Sequence, residues 1–169
     1  ILFTSGSTGP AKGVQYTHAI FDAQVRDIRQ MYKVEAGEVA VPGFPLFALF
    51  STAMGMTCVI PDMDPSQPAK VDPALIVEAI CDYGADMAFG SPAIWEAVQE
   101  YCHENSIKLH SVTRLLTFGA PIKYSLVKAY RKILVNGQVH TPYGATEALP
   151  IASVSSETVL AETGEASLD

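Results

Sequence analysis

Seven short apolar runs, at residues 1–4, 38–41, 57–60, 87–89, 114–118, 138–141 and 151–154, alternate with stretches of helical spacing, and this alternation restricts the chain most. Most of the runs are too apolar to leave one face in water. They suit strands of a parallel sheet covered by helices on both sides. The expected fold class is therefore α/β, a mostly parallel sheet flanked by helices. Caps mark the helices between the runs. Thr17 precedes a stripe of Ile20, Phe21, Val25, Ile28 and Met31, and Asp72-Pro73 opens a helix that Gly84 closes. Ser91-Pro92 repeats the device ahead of Ile94, Trp95, Val98 and Tyr101, a stripe that makes Trp95 a packing residue rather than a ligand.

One segment challenges this reading. Residues 39–61 carry no charge and are long enough to span a bilayer. Pro42, Gly43, Pro45 and Gly55 interrupt them, so a strand, a turn, a short helix and a second strand buried in an α/β protein fit better than a membrane span. Residues 61–68, rich in Asp, Pro and Ser, read as a loop, and the acidic, small-residue stretch after Ser155 has no periodicity that places it.

Composition narrows the function. The 169 residues, 49% hydrophobic and 17% charged, provide one domain's worth of core. A net charge of −7 argues against nucleic-acid binding, which needs clustered Lys and Arg; the basic cluster at 123–132 alternates with apolar residues, like the wet face of a helix. Cys58, Cys81 and Cys102 lie too far apart for zinc-ligand spacing, and they read as buried, reduced thiols in a cytoplasmic setting. The chain opens on Ile1-Leu2-Phe3-Thr4 without an initiator Met or a signal-peptide layout, which reads as a fragment.

The densest chemical signal is Thr4-Ser5-Gly6-Ser7-Thr8-Gly9-Pro10-Ala11-Lys12-Gly13, which follows an apolar run and leads towards a helix. The glycines let backbone N–H groups close round phosphate oxygens, four hydroxyls add donors, and Lys12 supplies a positive charge. This is a triphosphate cradle by composition. Ala11 and Gly13 flank Lys12, whereas a P-loop NTPase puts Gly before its Lys and Ser or Thr after it.

The stretch from Phe3 to Val14 resembles the signature loop of the adenylate-forming enzymes: acyl-CoA synthetases, luciferases and the adenylation domains of peptide synthetases. Further segments agree in order. Thr141-Pro142-Tyr143-Gly144-Ala145-Thr146-Glu147 follows the run at 138–141, where ligands bind in open parallel sheets. The resemblance implies that Tyr143 stacks on adenine beside Gly144, Thr146 bonds the α-phosphate and Glu147 holds Mg²⁺, a hard cation suited to a carboxylate. Phe118-Gly119-Ala120-Pro121 is similar to the family's Gly-Gly-Ala-Pro segment, in which Gly119, Ala120 and Pro121 would flank the purine. Phe44-Pro45-Leu46-Phe47-Ala48-Leu49-Phe50 matches a segment that lines the acyl pocket, with Ala48 where many relatives have histidine. Phe44, Phe47 and Phe50 favour a fatty or aromatic acid. Phe89-Gly90-Ser91-Pro92-Ala93-Ile94 resembles a turn beside the same pocket. His18 and His140 read as a helix start and a strand end rather than as general bases.

The resemblance implies an AMP-forming ligase that uses ATP and Mg²⁺ on a small-molecule carboxylic acid. Residues 1–169 would be part of its large N-terminal domain, with an upstream part, a hinge and a C-terminal domain outside the chain. Lys12, Thr146 and Glu147 are the expected catalytic residues; Thr4, Ser5, Gly6, Ser7, Thr8 and Gly9 hold phosphate. The pairing of residues 45–50 with Val59-Ile60-Pro61-Asp62-Met63-Asp64-Pro65 looks most like the olefin-biosynthesis β-lactone synthetases. The alternatives are a long-chain fatty-acyl-CoA synthetase, with CoA as acceptor, and a non-catalytic ATP- or AMP-binding module. Outside its longer protein, this piece is expected to be inactive.

Overall fold

The computed structural model describes residues 2–3, 10 and 12–163. Strand β1 (Leu2–Phe3) pairs antiparallel with β2 (Gly13–Val14), Leu2 opposite Val14 and Phe3 opposite Gly13. The first apolar run is therefore one arm of a separate hairpin and not a strand of the main sheet, as its sequence suggested. The reason is chain length: the short connection between its arms allows antiparallel pairing, whereas a parallel neighbour needs a crossover of a dozen residues or so.

The main sheet contains β3 (Val39–Pro42), β4 (Thr57–Cys58), β5 (Met87–Gly90), β6 (Arg114–Thr117), β7 (Gln138–Ala145) and β8 (Ala148–Ser155). Their spatial order is β4-β3-β5-β6-β7-β8. The first five run parallel, and β8 returns antiparallel along β7. Each parallel crossover passes through a helix: α2 (Pro45–Ala53), α3 (Pro73–Asp82), α4 (Pro92–Glu104) and α5 (Tyr124–Tyr130). Helix α1 (His18–Tyr32) precedes β3.

Alternation along buried strands divides the core in two. Val41, Ala88, Leu115 and Val139 face α3, α4 and α5, while Ala40, Met87, Phe89 and Leu116 face α1 and α2. Strands β5 and β6 are buried at every position, the pattern of a sheet covered on both sides. Trp95 packs in the first core, and its indole N–H donates to the Leu116 carbonyl at 3.1 Å. The uncharged segment at 39–61 resolves into β3, α2 and β4, and no helix among the described residues is long and apolar enough to cross a membrane.

Two of the three cap positions act where the sequence put them. Thr17 Oγ1 accepts from Ile20 N at 3.2 Å, and Asp72 accepts from Ala74 N at 3.0 Å. Ser91 opens α4 without a side-chain capping bond. On α1 the buried row is Gln24, Ile28 and Tyr32, and Met31 is exposed; spacing of four from Gln24 selects Tyr32. The thiols are free, but only Cys102 is buried, pushed up to about 11 by that burial, and Cys81 is exposed on α3, so the expectation of three buried thiols fails. Beyond β8 the chain makes a helical turn (Ser156–Thr158) and a π-helical turn (Val159–Thr163).

Candidate adenylate site at the carboxyl edge of the sheet

Parallel strands deliver their carboxyl ends to one edge, and two of the sequence motifs, at 118–121 and 141–147, lie there on neighbouring strands. Phe118-Gly119-Ala120-Pro121 leaves the end of β6, with Gly119 at φ +92, a conformation that favours glycine. The neighbouring strand does not stop at Thr141, as the sequence suggested. It runs to Ala145, turns through Thr146-Glu147 and returns as β8, so the motif forms a strand arm and hairpin tip. The register pairing Leu116 with His140 leaves Gly119 and Tyr143 each three residues beyond the last partners. Tyr143 is 70% exposed, its ring available for stacking.

The tip is tightly built. Register shifts between Tyr143 and Ala145, and a Cβ on Gly144 would lie 2.6 Å from Leu149 Cδ1 and 3.1 Å from the Ala148 carbonyl. Glu147 is exposed at the turn and Thr146 is half-buried. Among the described residues no three His, Cys, Asp or Glu side chains gather into a metal cage. A single exposed carboxylate suits Mg²⁺, which takes few protein ligands and draws its other oxygens from phosphate and water.

Lys12 is exposed immediately before β2. Thr4, Ser5, Gly6, Ser7, Thr8 and Gly9 lie outside the described residues, so the phosphate-loop reading rests on sequence, although the hairpin of β1 and β2 brackets it. His18 is an exposed first residue of α1. His140 is half-buried, its ring edge-on to Tyr32 at 5.4 Å; burial, then the Arg114 guanidinium, hold it below the ordinary imidazole value.

A narrow apolar cleft, with a cavity of only about 30 Å³, opens between α1, α2 and the sheet. Tyr32, Phe47, Phe50, Met54, Met87 and Leu149 are among its walls. Phe47 is the hub: its ring centroid lies 4.7 Å from Phe118, 5.7 Å from both Phe50 and Phe89, and 6.2 Å from Phe44. Phe118 and Pro142 also line the cleft, and each belongs to one of the two motif segments, directly before Gly119 in one case and Tyr143 in the other. Successive residues of an extended strand point to opposite sides, so Pro142 faces the cleft and Tyr143 faces away from it. Ala48, in the first turn of α2, is half-buried.

Sequence reasoning named Phe44, Phe47 and Phe50 but missed Tyr32, Met54, Met87 and Leu149, which come from four elements brought together only by the fold. It also missed Gln24, whose side-chain Nε2 donates to the Thr146 carbonyl at 3.3 Å. A polar residue inside an otherwise apolar helical stripe was the available signal.

The AMP-binding enzyme family matches residues 1–167. This chain belongs to that family. Among curated relatives of this AMP-binding enzyme chain, olefin beta-lactone synthetase of Stenotrophomonas maltophilia is 46% identical over 155 residues, covering 91% of the chain and 27% of the relative. Its counterpart from Xanthomonas campestris is 42% identical over 160 residues, covering 94% and 28%. The chain thus spans little more than a quarter of these relatives. O-succinylbenzoate coenzyme A synthetase from Bacillus subtilis, solved in complex with ATP and magnesium ion, superposes with a TM-score of 0.77 at 22% identity, over 94% of this chain and 33% of that one. That likeness is one of fold, and it matches the mostly parallel sheet with flanking helices.

Proposed function

We propose that the chain is the nucleotide- and acyl-binding part of a longer AMP-forming ligase that activates a fatty or β-hydroxy fatty acid as an acyl-adenylate. The observation that carries this is the shared wall: Phe118-Gly119 and Pro142-Tyr143 each join the apolar cleft to a segment matching an adenine-binding motif. An acyl-phosphate anhydride has to straddle such a boundary, hydrocarbon on one side and nucleotide on the other.

In this reading Gly119, Ala120 and Pro121 flank adenine, Tyr143 stacks on it beside Gly144, and residues 4–9 close round the β- and γ-phosphates. A carboxylate oxygen of the acid attacks the α-phosphorus of ATP. The bond to the bridging oxygen breaks, and pyrophosphate leaves with the electron pair. Lys12 offsets charge on the phosphates, Thr146 bonds the α-phosphate, and Glu147 would hold Mg²⁺, which when bound would supply charge neutralisation for the leaving pyrophosphate. With a β-hydroxy acid, the hydroxyl oxygen then attacks the acyl carbonyl, AMP departs with the electron pair, the hydroxyl proton is released, and a β-lactone forms. The 46% and 42% identities to two β-lactone synthetases support that second step. The setting we propose is the cytoplasm, where ATP and reduced thiols are supplied.

The test is ATP–pyrophosphate exchange by the full-length protein over a panel of acids. Exchange that depends on a long-chain acid is expected, and Glu147→Gln should lower it about a hundredfold. Absence of exchange with every acid overturns the reading. Incubation with a β-hydroxy fatty acid then separates products: a lactone without CoA supports the proposed second step, whereas a thioester formed only with CoA replaces it.

A further inference from the structure

Helix α1 is tied to the β7–β8 hairpin at two points. Tyr32 Oη and Ser153 Oγ lie 3.0 Å apart at the base, and Gln24 reaches the tip, donating through Nε2 to the Thr146 carbonyl at 3.3 Å across 122 residues of sequence. Gln24 is 4% exposed, on the stripe that carries Ile28, and its Oε1 is buried without a hydrogen-bond partner among the described residues. A buried amide with one orphaned oxygen lowers stability relative to an apolar side chain of similar size. Packing alone therefore does not account for Gln24, and its one polar contact among the described residues falls on the residue before Glu147.

We propose that Gln24 is a positioning residue: its amide holds the Thr146 carbonyl, and so fixes the hairpin turn that aims the Thr146 hydroxyl and the Glu147 carboxylate. The idea rests on the adenylation reading above. Helix α1 starts just after β2, so the strut also links the Mg²⁺-binding turn to the element that follows the phosphate loop. The strut adds a polar tie at the turn to the packing of Leu149 against the α1–α2 core.

The test compares Gln24→Met, which keeps volume and removes the orphaned oxygen, with Gln24→Glu, which keeps shape but turns an acceptor towards the Thr146 carbonyl. Both are made in the full-length protein and read in three ways. Amide hydrogen exchange across residues 144–148 should speed up in both variants. The thermal midpoint of Gln24→Met should stay level or rise. The kcat of ATP–pyrophosphate exchange should fall about three- to tenfold while KM for the acid holds, the expected size for one lost orienting hydrogen bond. The proposal is overturned if the hairpin amides and kcat of Gln24→Met match the parent protein, or if kcat falls only in step with a lowered midpoint or failure to fold, since Gln24 is then structural. A parent protein that exchanges with no acid defeats the adenylation reading, while the hydrogen-exchange comparison still decides the strut.

Discussion

His140 shows how a residue's setting fixes its chemistry. It lies on β7 with its ring against Tyr32, held below the ordinary value near 6.5 first by burial and then by Arg114. The folded protein therefore keeps it neutral where the unfolded chain begins to protonate. Below about pH 6.5 the unfolded state binds more protons, so stability is full above that value and is lost as pH falls towards the folded-state pKa. Urea midpoints measured from pH 7.5 to 5 should drop more for the parent protein than for His140→Asn. Equal slopes would show that His140 contributes nothing to the acid sensitivity.

At the scale of elements, α1 is held at its far end by Arg114. This guanidinium, 8% exposed, sits 2.7 Å from Glu38 Oε1 and donates to the Tyr32 carbonyl at 3.0 Å and the Lys33 carbonyl at 3.4 Å. It pins the helix C-terminus to the start of β6. Arg114→Met leaves those two carbonyls and a half-buried carboxylate without their partner, and should cost about 3 kcal/mol in urea unfolding. Glu38→Gln keeps a hydrogen-bond acceptor and should cost about 1 kcal/mol. Such contacts explain what the sequence could and could not reveal. Residues 87–89 and 114–117 were legible as strands because all are buried, and Thr17, Asp72 and Pro73 marked helix starts by capping chemistry that works locally. The burial of Tyr32 in place of Met31 depends on partners far along the chain, Ser153 among them, whereas the hairpin of β1 and β2 and the antiparallel return of β8 are local pairings whose direction apolar runs alone do not specify. The same division runs through the candidate site: its motifs were visible as strings of residues, whereas Gln24 and most of the cleft walls come from separated elements.

At the scale of the molecule, the two edges of the sheet differ. One edge is β4, two residues long, which offers little backbone to a neighbour. The other is β8, eight residues without a charged side chain, carrying Ile151 at 55% and Val154 at 41% exposure. Pro150 is the single position on it that lacks an N–H donor. An uncharged edge of that length templates strand pairing, and natural proteins suppress such pairing with lysine or by covering the edge. The 169-residue chain on its own is therefore expected to self-associate through β8. In sedimentation velocity its weight-average mass should rise with concentration above 18.1 kDa. Ile151→Lys should hold it at the monomer value with a change in stability of about 0.5 kcal/mol or less, because the position is exposed. Association unchanged by that substitution would move the contact elsewhere, with the opposite face of the β7–β8 hairpin, around Tyr143 and Ala152, as the next surface to substitute.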